Sequence, residues 1–218
     1  MARRFELIVF DWDGTLMDSA AAIVSAIQAA SRDLQIEPPS DARARHIIGL
    51  GLHDAMRSAL PDLDEAAYPA LVERYRHHYL ASDHELTLFA GIMPLIEKLA
   101  SEDFMLAVAT GKSRLGLNRA MANSGLDRHF HASRCADECH SKPHPQMLLE
   151  LMEEFAVSPE RTLMIGDTTH DLLMAKNAQV PALAVAYGAH PRELLEAESP
   201  LLCAATVVEL QAWLDANT

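Results

Sequence analysis

Short apolar runs, each ending at polar or turn-forming residues, recur along this chain, and helical patterns fill the intervals between them. Residues 5–10 run into Asp11, 104–109 into Thr110-Gly111, 161–165 into Gly166-Asp167, and 181–186 into Tyr187-Gly188. Residues 129–132 make a weaker fifth run. Apolar runs of this length bounded by turn signals read as strands, and their nearly continuous apolar character means that both faces are covered. Between them, residues 92–100 place Ile92, Leu95, Ile96 and Leu99 at helical spacing, 146–155 follow Pro143 and Pro145, and 171–178 follow the Gly-Asp turn. The alternation predicts an α/β fold with a Rossmann-like parallel sheet and helices on both faces. The polar residues gather at the strands' C-terminal ends, where open sheets of this kind place their sites.

Residues 17–84 break the alternation. They carry helical patterns at 20–34, 43–60 and 66–80, the last two separated by Pro61, and no strand run. The sequence therefore predicts a catalytic core of residues 1–16 and 85–218, with a small α-helical cap of residues 17–84 inserted after the first strand. With 18 Lys and Arg against 31 Asp and Glu, the net charge is -13. That argues against a nucleic-acid partner, whose affinity rests mostly on cationic contacts to phosphates, and against a polybasic membrane anchor. No apolar run approaches the ~18 residues of a membrane helix or the roughly 7–15 of a signal-peptide core. Three cysteines give no disulfide framework. The expected location is cytoplasmic.

Four segments carry the chemistry. In Asp11-Trp12-Asp13-Gly14-Thr15, strand alternation lets Asp11 and Asp13 point the same way, and Gly14 allows a tight turn whose N–H can approach an anion. Thr110-Gly111 sets a hydroxyl and backbone amides at a strand-to-helix junction, which suits a phosphate. Lys142, one of four lysines, precedes a helix start fixed by prolines and could neutralise a phosphate or the carboxylates. Asp167 ends a strand, and Asp171 stands four residues on, on the same face if a helix has begun. Each segment alone has a plainer reading, as a strand-end turn, a helix cap at Thr110 or Ser113, a surface lysine, or acidic residues at a helix N-terminus. Together they predict that Asp11, Asp13, Asp167 and Asp171 converge, a set of oxygen ligands that calls for a hard cation, Mg2+ before Zn2+. Asp11 is then a carboxylate nucleophile, and Asp13, held near other negative charges, a general acid and then base.

In order and placement these segments resemble the haloacid dehalogenase superfamily of phosphohydrolases, in its phosphoglycolate-phosphatase-like branch, and residues 17–84 resemble that family's helical C1 cap. The resemblance implies a phosphoenzyme on Asp11, with Asp13 protonating the leaving group and later activating water. It implies Mg2+ on Asp11, the Asp13 backbone carbonyl and Asp167, with Asp171 supporting the metal shell, and phosphate contacts from Thr110, Gly111 and Lys142. The implied activity is hydrolysis of a small phosphorylated metabolite such as phosphoglycolate. Trp12 departs from the family, which usually carries a smaller or unbranched apolar residue there.

Asp13 argues against a dehalogenase proper, and the lack of any lysine in 17–84 excludes a phosphonatase with a Schiff base on its cap. A sugar-phosphate mutase would use the same two aspartates, and a non-catalytic metal-binding regulatory module is the alternative from another class. His129, His131, Cys135, Cys139, His140 and His144 loosely suggest zinc, but lack two well-spaced ligand pairs and read as ordinary loop and edge-strand residues. His77 and His78 read as helix surface. Specificity is expected from 43–52, where basic residues meet a Gly-interrupted turn: Arg45, His46 and Gly49 are the candidates, with Met17 and Leu50 or Leu52 as apolar walls, against the plainer reading of an exposed basic helix face.

Overall fold

A computed structural model describes residues 4–217. In chain order the elements are β1 (Leu7–Phe10), α1 (Ala20–Asp33), α2 (Asp41–His46), α3 (Leu52–Ala59), α4 (Tyr68–Ser82), α5 (Ile92–Ser101), β2 (Met105–Thr110), α6 (Arg114–Ser124), β3 (Ala132–Cys135), α7 (Gln146–Phe155), β4 (Thr162–Gly166), α8 (Thr169–Asn177), β5 (Ala182–Val185), α9 (Arg192–Ala197), β6 (Cys203–Ala204) and α10 (Val207–Asn217). The strands form one sheet in the order β3-β2-β1-β4-β5-β6, every neighbouring pair parallel.

Alternation along β1 divides the core. Ile8 and Phe10 pack with Leu95 and Leu99 of α5, Leu117 of α6 and Leu210 of α10. Leu7 and Val9 pack on the opposite face with Met147 and Leu151 of α7 and Met174 of α8. A parallel strand buried on both faces needs this double lining, which is why β1 reads as Leu-Ile-Val-Phe without a polar residue. After β1 the chain leaves for β2 on one side and later returns to β4 on the other. The switch point lies at β1, so the C-terminal ends of β1, β2 and β4 open onto one crevice.

Helices α1 to α4 lie between β1 and α5 and bury an apolar cluster of their own, with Ile27, Ala44, Met56 and Leu71 drawn from all four. The two linkers that border this segment are tied by isolated pairings of Met17 with Asp13 and with Leu88. A small second cluster joins Ala20, Ile23, Ile48 and Tyr79 to Ala189 beyond β5.

The structure corrects three expectations. The weak fifth strand occupies Ala132–Cys135 rather than 129–132: His131 N–H bonds the Leu106 carbonyl, and Ala132 is the first residue in register with Ala107. As an edge strand reading Ala-Ser-Arg-Cys, it keeps half-buried polar residues and no apolar run. The single helix expected over 43–60 is two, α2 and α3. Ser40 caps the first by accepting from Arg43 N–H, and Gly49, at φ 93°, turns the chain between them through backbone space that L side chains rarely adopt. The helix expected to start at Asp171 starts at Thr169. Strand β6 and helix α10 come in addition to the elements expected. No helix of the described residues is long and apolar enough to cross a membrane.

Candidate active site

Asp11, at the end of the central strand, is fully buried. Its Oδ1 accepts from the Trp12 N–H at 2.7 Å and pairs with Lys142 Nζ at 2.8 Å. Its Oδ2, equally buried, has no hydrogen-bond partner. Asp167 leaves the end of β4; Oδ1 accepts from the Thr15 hydroxyl and Oδ2 from the Ala189 N–H, both at 2.7 Å. These bonds clamp the carboxylate between the turn after β1 and the turn after β5. Room for the clamp comes from Gly14, at φ 80°, where an added Cβ would collide with the Asp167 carboxylate.

Asp171 reaches the same place by a different route from the helical spacing expected. Helix α8 begins only at Thr169, so Asp167 lies outside it, and Asp171 is the third helical residue of a capping box. Its Oδ2 accepts from the Thr168 N–H at 3.1 Å and hydroxyl at 2.7 Å, and Oδ1 from Lys142 Nζ at 2.6 Å. The fold-back closes over Gly166, where a Cβ would strike the Asp171 carboxyl carbon.

Asp11, Asp167 and Asp171 thus each offer an oxygen, all within 4.8 Å of one another. One buried cation, Lys142, faces them. Burial pushes the Asp11 carboxyl well above the usual carboxylate range; Lys142 opposes the rise, and Asp171 and Asp167 add to it. Burial, followed by the charge of Asp171, pushes Asp167 up to about 7, against the bonds from Ala189 and Thr15. Burial works against the charge of Lys142, but Asp11 and Asp171 outweigh it and hold the ammonium above its ordinary value. The donor set fits a hard divalent cation: it is all oxygen, it holds an unpartnered buried carboxylate oxygen, and three carboxylates face one lysine.

Asp13 does not join the cluster. Its Oδ1 accepts from the Ser19 hydroxyl at 2.7 Å, and both its oxygens lie 3.1 Å from Lys112 Nζ. A cation stands beside it, not the carboxylates expected from the sequence. Lys112 also donates to Tyr79 Oη of α4 at 2.9 Å. Lys112 closes the Ala109-Thr110-Gly111-Lys112 segment that the sequence marks for a phosphate, but neither it nor Tyr79 was expected to reach Asp13.

Thr110 and Gly111 end β2 beside this crevice, and Thr110 Oγ1 accepts from the Lys112 N–H at 3.2 Å. The segment from His46 to Gly51 lies against them. A Cβ on Gly111 would collide with the Leu50 and Gly49 carbonyls. One on Gly49 would lie 3.1 Å from Thr168 Oγ1 and 3.8 Å from Asp11 Oδ2. Gly51 N–H bonds Ser141 Oγ at 2.8 Å. Of the three residues expected to set specificity, Gly49 is therefore nearest the carboxylates. The exposed His46 ring stacks on His190, 4.9 Å between centroids and 12° between planes, while its carbonyl accepts from His170 Nε2 at 2.8 Å and His190 Nε2 at 3.1 Å. His190 Nδ1 accepts from Thr169 N–H at 3.1 Å, which fixes the proton on Nε2. Burial holds His190 down to about 4 and His170 below its ordinary value. Arg45 is half-buried on α2. Leu50 and Leu52 pack on the cluster of α1 to α4, whereas Met17 packs on the core.

Among the histidines and cysteines of 129–144, the His140 and His144 rings lie 4.5 Å apart between centroids. His131 Nδ1 accepts from Leu106 N–H, Cys139 Sγ lies 3.7 Å from Glu150 Oε2, and Cys135 is buried at the end of β3. On α4, His78 Nε2 lies 2.8 Å from Asp33 Oδ2.

Residues 8–185 match the haloacid dehalogenase-like hydrolase family, and the chain belongs to it. It is 38% identical over 211 residues to a probable phosphatase IndB of Dickeya dadantii, covering 94% of this chain and 91% of that protein. A 5'-nucleotidase of Pseudomonas aeruginosa is 32% identical over 218 residues, 99% of this chain and 98% of the relative. A phosphoglycolate phosphatase of Agrobacterium fabrum is 31% identical over 198 residues, 88% and 85% of the two chains. Among solved structures, a haloacid dehalogenase-like hydrolase of Streptococcus pneumoniae superposes with a TM-score of 0.84 at 25% identity, covering 96% of this chain and 98% of that one.

Proposed function

We propose that this hydrolase is a Mg2+-dependent phosphomonoesterase that works through an aspartyl phosphate on Asp11 and acts on a small phosphorylated metabolite such as phosphoglycolate. The observation that carries the reading is the state of Asp11: one carboxylate oxygen is bound by Lys142 and the Trp12 N–H, and the other is buried with no partner. A carboxylate held in this way is oriented and poorly solvated, which suits attack on phosphorus. The names of the relatives from Dickeya, Pseudomonas and Agrobacterium, all phosphate-releasing, support the same class.

In this reading Asp11 attacks the phosphorus of the ester as the bond from phosphorus to the ester oxygen breaks. Asp13 gives its proton to the leaving oxygen. Asp13 then takes a proton from water, the water oxygen attacks the phosphorus of the aspartyl phosphate, and phosphate leaves with Asp11 restored. Lys142 keeps Asp11 oriented and carries positive charge next to the transferring group. Thr110 and Gly111 would receive phosphoryl oxygens. Asp11, the Asp13 backbone carbonyl and Asp167 would hold Mg2+, with Asp171 behind them; bound there, the ion supplies positive charge that offsets the carboxylates and steadies the phosphoryl oxygens.

Residues 17–84 act as the cap over the core of 1–16 and 85–218. Their separate apolar cluster and the seating of Gly49 and Leu50 on Gly111 support this assignment. In this closed placement the two carbonyls occupy the approach to Gly111, so substrate entry requires the cap to lift. Gly49 shapes the wall over Asp11, Arg45 remains available to an anionic substrate, and His46 serves more as a latch between cap and core. The test is phosphate release from a panel of phosphometabolites and an aryl phosphate, with Mg2+ and with EDTA. Mg2+-dependent release is expected, with a preference among the metabolites. No release from any ester would overturn the reading.

A further inference from the structure

Lys112 bridges two parts of the molecule that the proposed reaction needs to coordinate. Its ammonium lies 3.1 Å from both oxygens of Asp13, in the core, and 2.9 Å from the phenol oxygen of Tyr79, on α4 of the helical insertion. The three side chains are largely buried, with 9% of the Lys112 side chain and 12% of the Asp13 side chain exposed. Lys142, by contrast, is wholly committed to Asp11 and Asp171. The site thus holds two lysines with separate duties, and Lys112 contacts none of the clustered carboxylates.

The seam around Lys112 is built to hold the bridge. Tyr79 stacks on Tyr75 one helical turn earlier, 5.8 Å between centroids and 20° between planes, which fixes where its hydroxyl points. Just beyond α4, Asp83 accepts from Arg119 of α6 at 2.6 Å, a second tie between insertion and core. Trp12, Met17 and Leu86 wall the seam, and in such surroundings a hydrogen-bonded ion pair is far stiffer than in water.

We propose that Lys112 is a positioning residue for Asp13 and that Tyr79 makes this positioning conditional on the docked placement of the helical insertion. The inference rests on the reading of Asp13 as proton donor and acceptor. Asp13 must present one oxygen to the leaving group and later to water, so its carboxyl plane has to be fixed. The Ser19 hydroxyl holds Oδ1 alone and leaves the carboxyl free to turn about that contact. The forked contact from Lys112 removes the rotation. Because the same ammonium is shared with Tyr79, undocking the insertion withdraws one of its anchors and loosens Asp13, so proton transfer is ready only when the insertion is seated.

The experiment measures kcat/KM for an alkyl and an aryl phosphate in wild type, Lys112→Met, Lys112→Arg, Tyr79→Phe and the Lys112→Met/Tyr79→Phe pair, with thermal melts to verify folding. kcat/KM reports the steps up to transfer of phosphate to Asp11, where the alkyl ester needs the proton from Asp13 and the aryl ester needs it far less. A misplacement on the order of 1 Å costs about 10²-fold, so Lys112→Met is expected to lose roughly that factor with the alkyl ester and much less with the aryl ester. Lys112→Arg should recover part of the loss. Tyr79→Phe should show the same leaving-group signature at smaller size, and should add nothing in the Lys112→Met background. Equal losses for both esters, or independent and multiplying effects of the two substitutions, would overturn the inference while leaving the phosphatase reading intact. A loss confined to KM for esters with a second anionic group would make Lys112 a substrate contact and overturn it likewise. A wild type that releases no phosphate from either ester would bring down the phosphatase reading and this inference with it.

Discussion

Replacing Lys142 by Met tests the electrostatics of the site apart from any assay of turnover. The ammonium lies 2.8 Å from Asp11 and 2.6 Å from Asp171, and the three side chains are between 0% and 1% exposed. Methionine fills a similar volume but leaves both carboxylates without a counterion. Removing one partner of a buried ion pair costs about 3–5 kcal/mol, because the remaining charge has lost both water and its partner. In a chain of this length each kcal/mol moves the melting temperature by about 2–4 °C, so the variant should melt roughly 6–20 °C below wild type. The loss must depend on pH in one direction. Burial already raises the Asp11 carboxyl, and without Lys142 nothing opposes the rise, so protonation is its escape. The deficit should therefore be largest near pH 8 and shrink as the pH falls toward 5. Thermal melts in EDTA across that range make the measurement. Lys98→Met is the control, since Lys98 pairs with Asp215 at the surface with 34% of its side chain exposed and should matter little. Equal stability of Lys142→Met and wild type at pH 8, or a deficit that widens toward acid, would refute the argument.

Three further outcomes follow from the same geometry. Asp11→Asn should abolish phosphate release while the melting temperature holds or rises, since an amide is a poor nucleophile and adds no buried charge; turnover at a substantial fraction of wild type in clean protein would refute Asp11 as nucleophile. Gly14→Ala should weaken Mg2+ binding by about 10–100-fold in calorimetry, because the new Cβ displaces the Asp167 carboxylate from its clamp; an unchanged affinity would mean that Asp167 is not a ligand. Mg2+ affinity should rise as the pH climbs through about 7, where Asp167 ionises. The sign for stability follows: a carboxyl raised from 3.8 to about 7 stabilises the metal-free fold fully below 3.8, and that contribution is lost as the pH climbs through about 7. Mg2+ should accordingly raise the melting temperature more at pH 8 than at pH 6, and an effect independent of pH would count against Asp167 as the titrating ligand.

The strands that form the middle of the sheet were readable because burial on both faces forces an apolar run, as in Leu7–Phe10 and Met105–Thr110. At the edge that pressure relaxes, and Ala132–Cys135 and Cys203–Ala204 carry little apolar signal. The candidate site divides in the same manner. Asp11, Thr110 and Asp167 sit at or just beyond strand ends and follow from local sequence. The reason Asp171 lies near Asp167 does not, because it depends on where α8 starts, and a capping box mimics the spacing of a helical face. The bridge of Lys112 to Tyr79 and the seating of His46 between His170 and His190 are contacts across 33, 124 and 144 residues, and no local pattern encodes them.

The charges of the site explain why two aspartates two residues apart can have opposite tasks. Asp11, Asp167 and Asp171 with Lys142 sum to -2 when ionised; burial raises the Asp11 and Asp167 carboxyls, and the neighbouring carboxylates add to the rise. A divalent cation would cancel that net charge, which is why the cluster suits Mg2+ better than a second lysine, whose single charge would leave an uncompensated carboxylate. Asp13 with Lys112 sums to zero when Asp13 is ionised and to +1 when it carries the proton, and Lys112 serves this carboxylate rather than the cluster. In the proposed reading Asp11 acts as nucleophile among the clustered carboxylates while Asp13 gains and loses its proton beside Lys112. Catalytic carboxylates with different roles are set apart by their surroundings, and here Asp11 and Asp13 each face a lysine of their own.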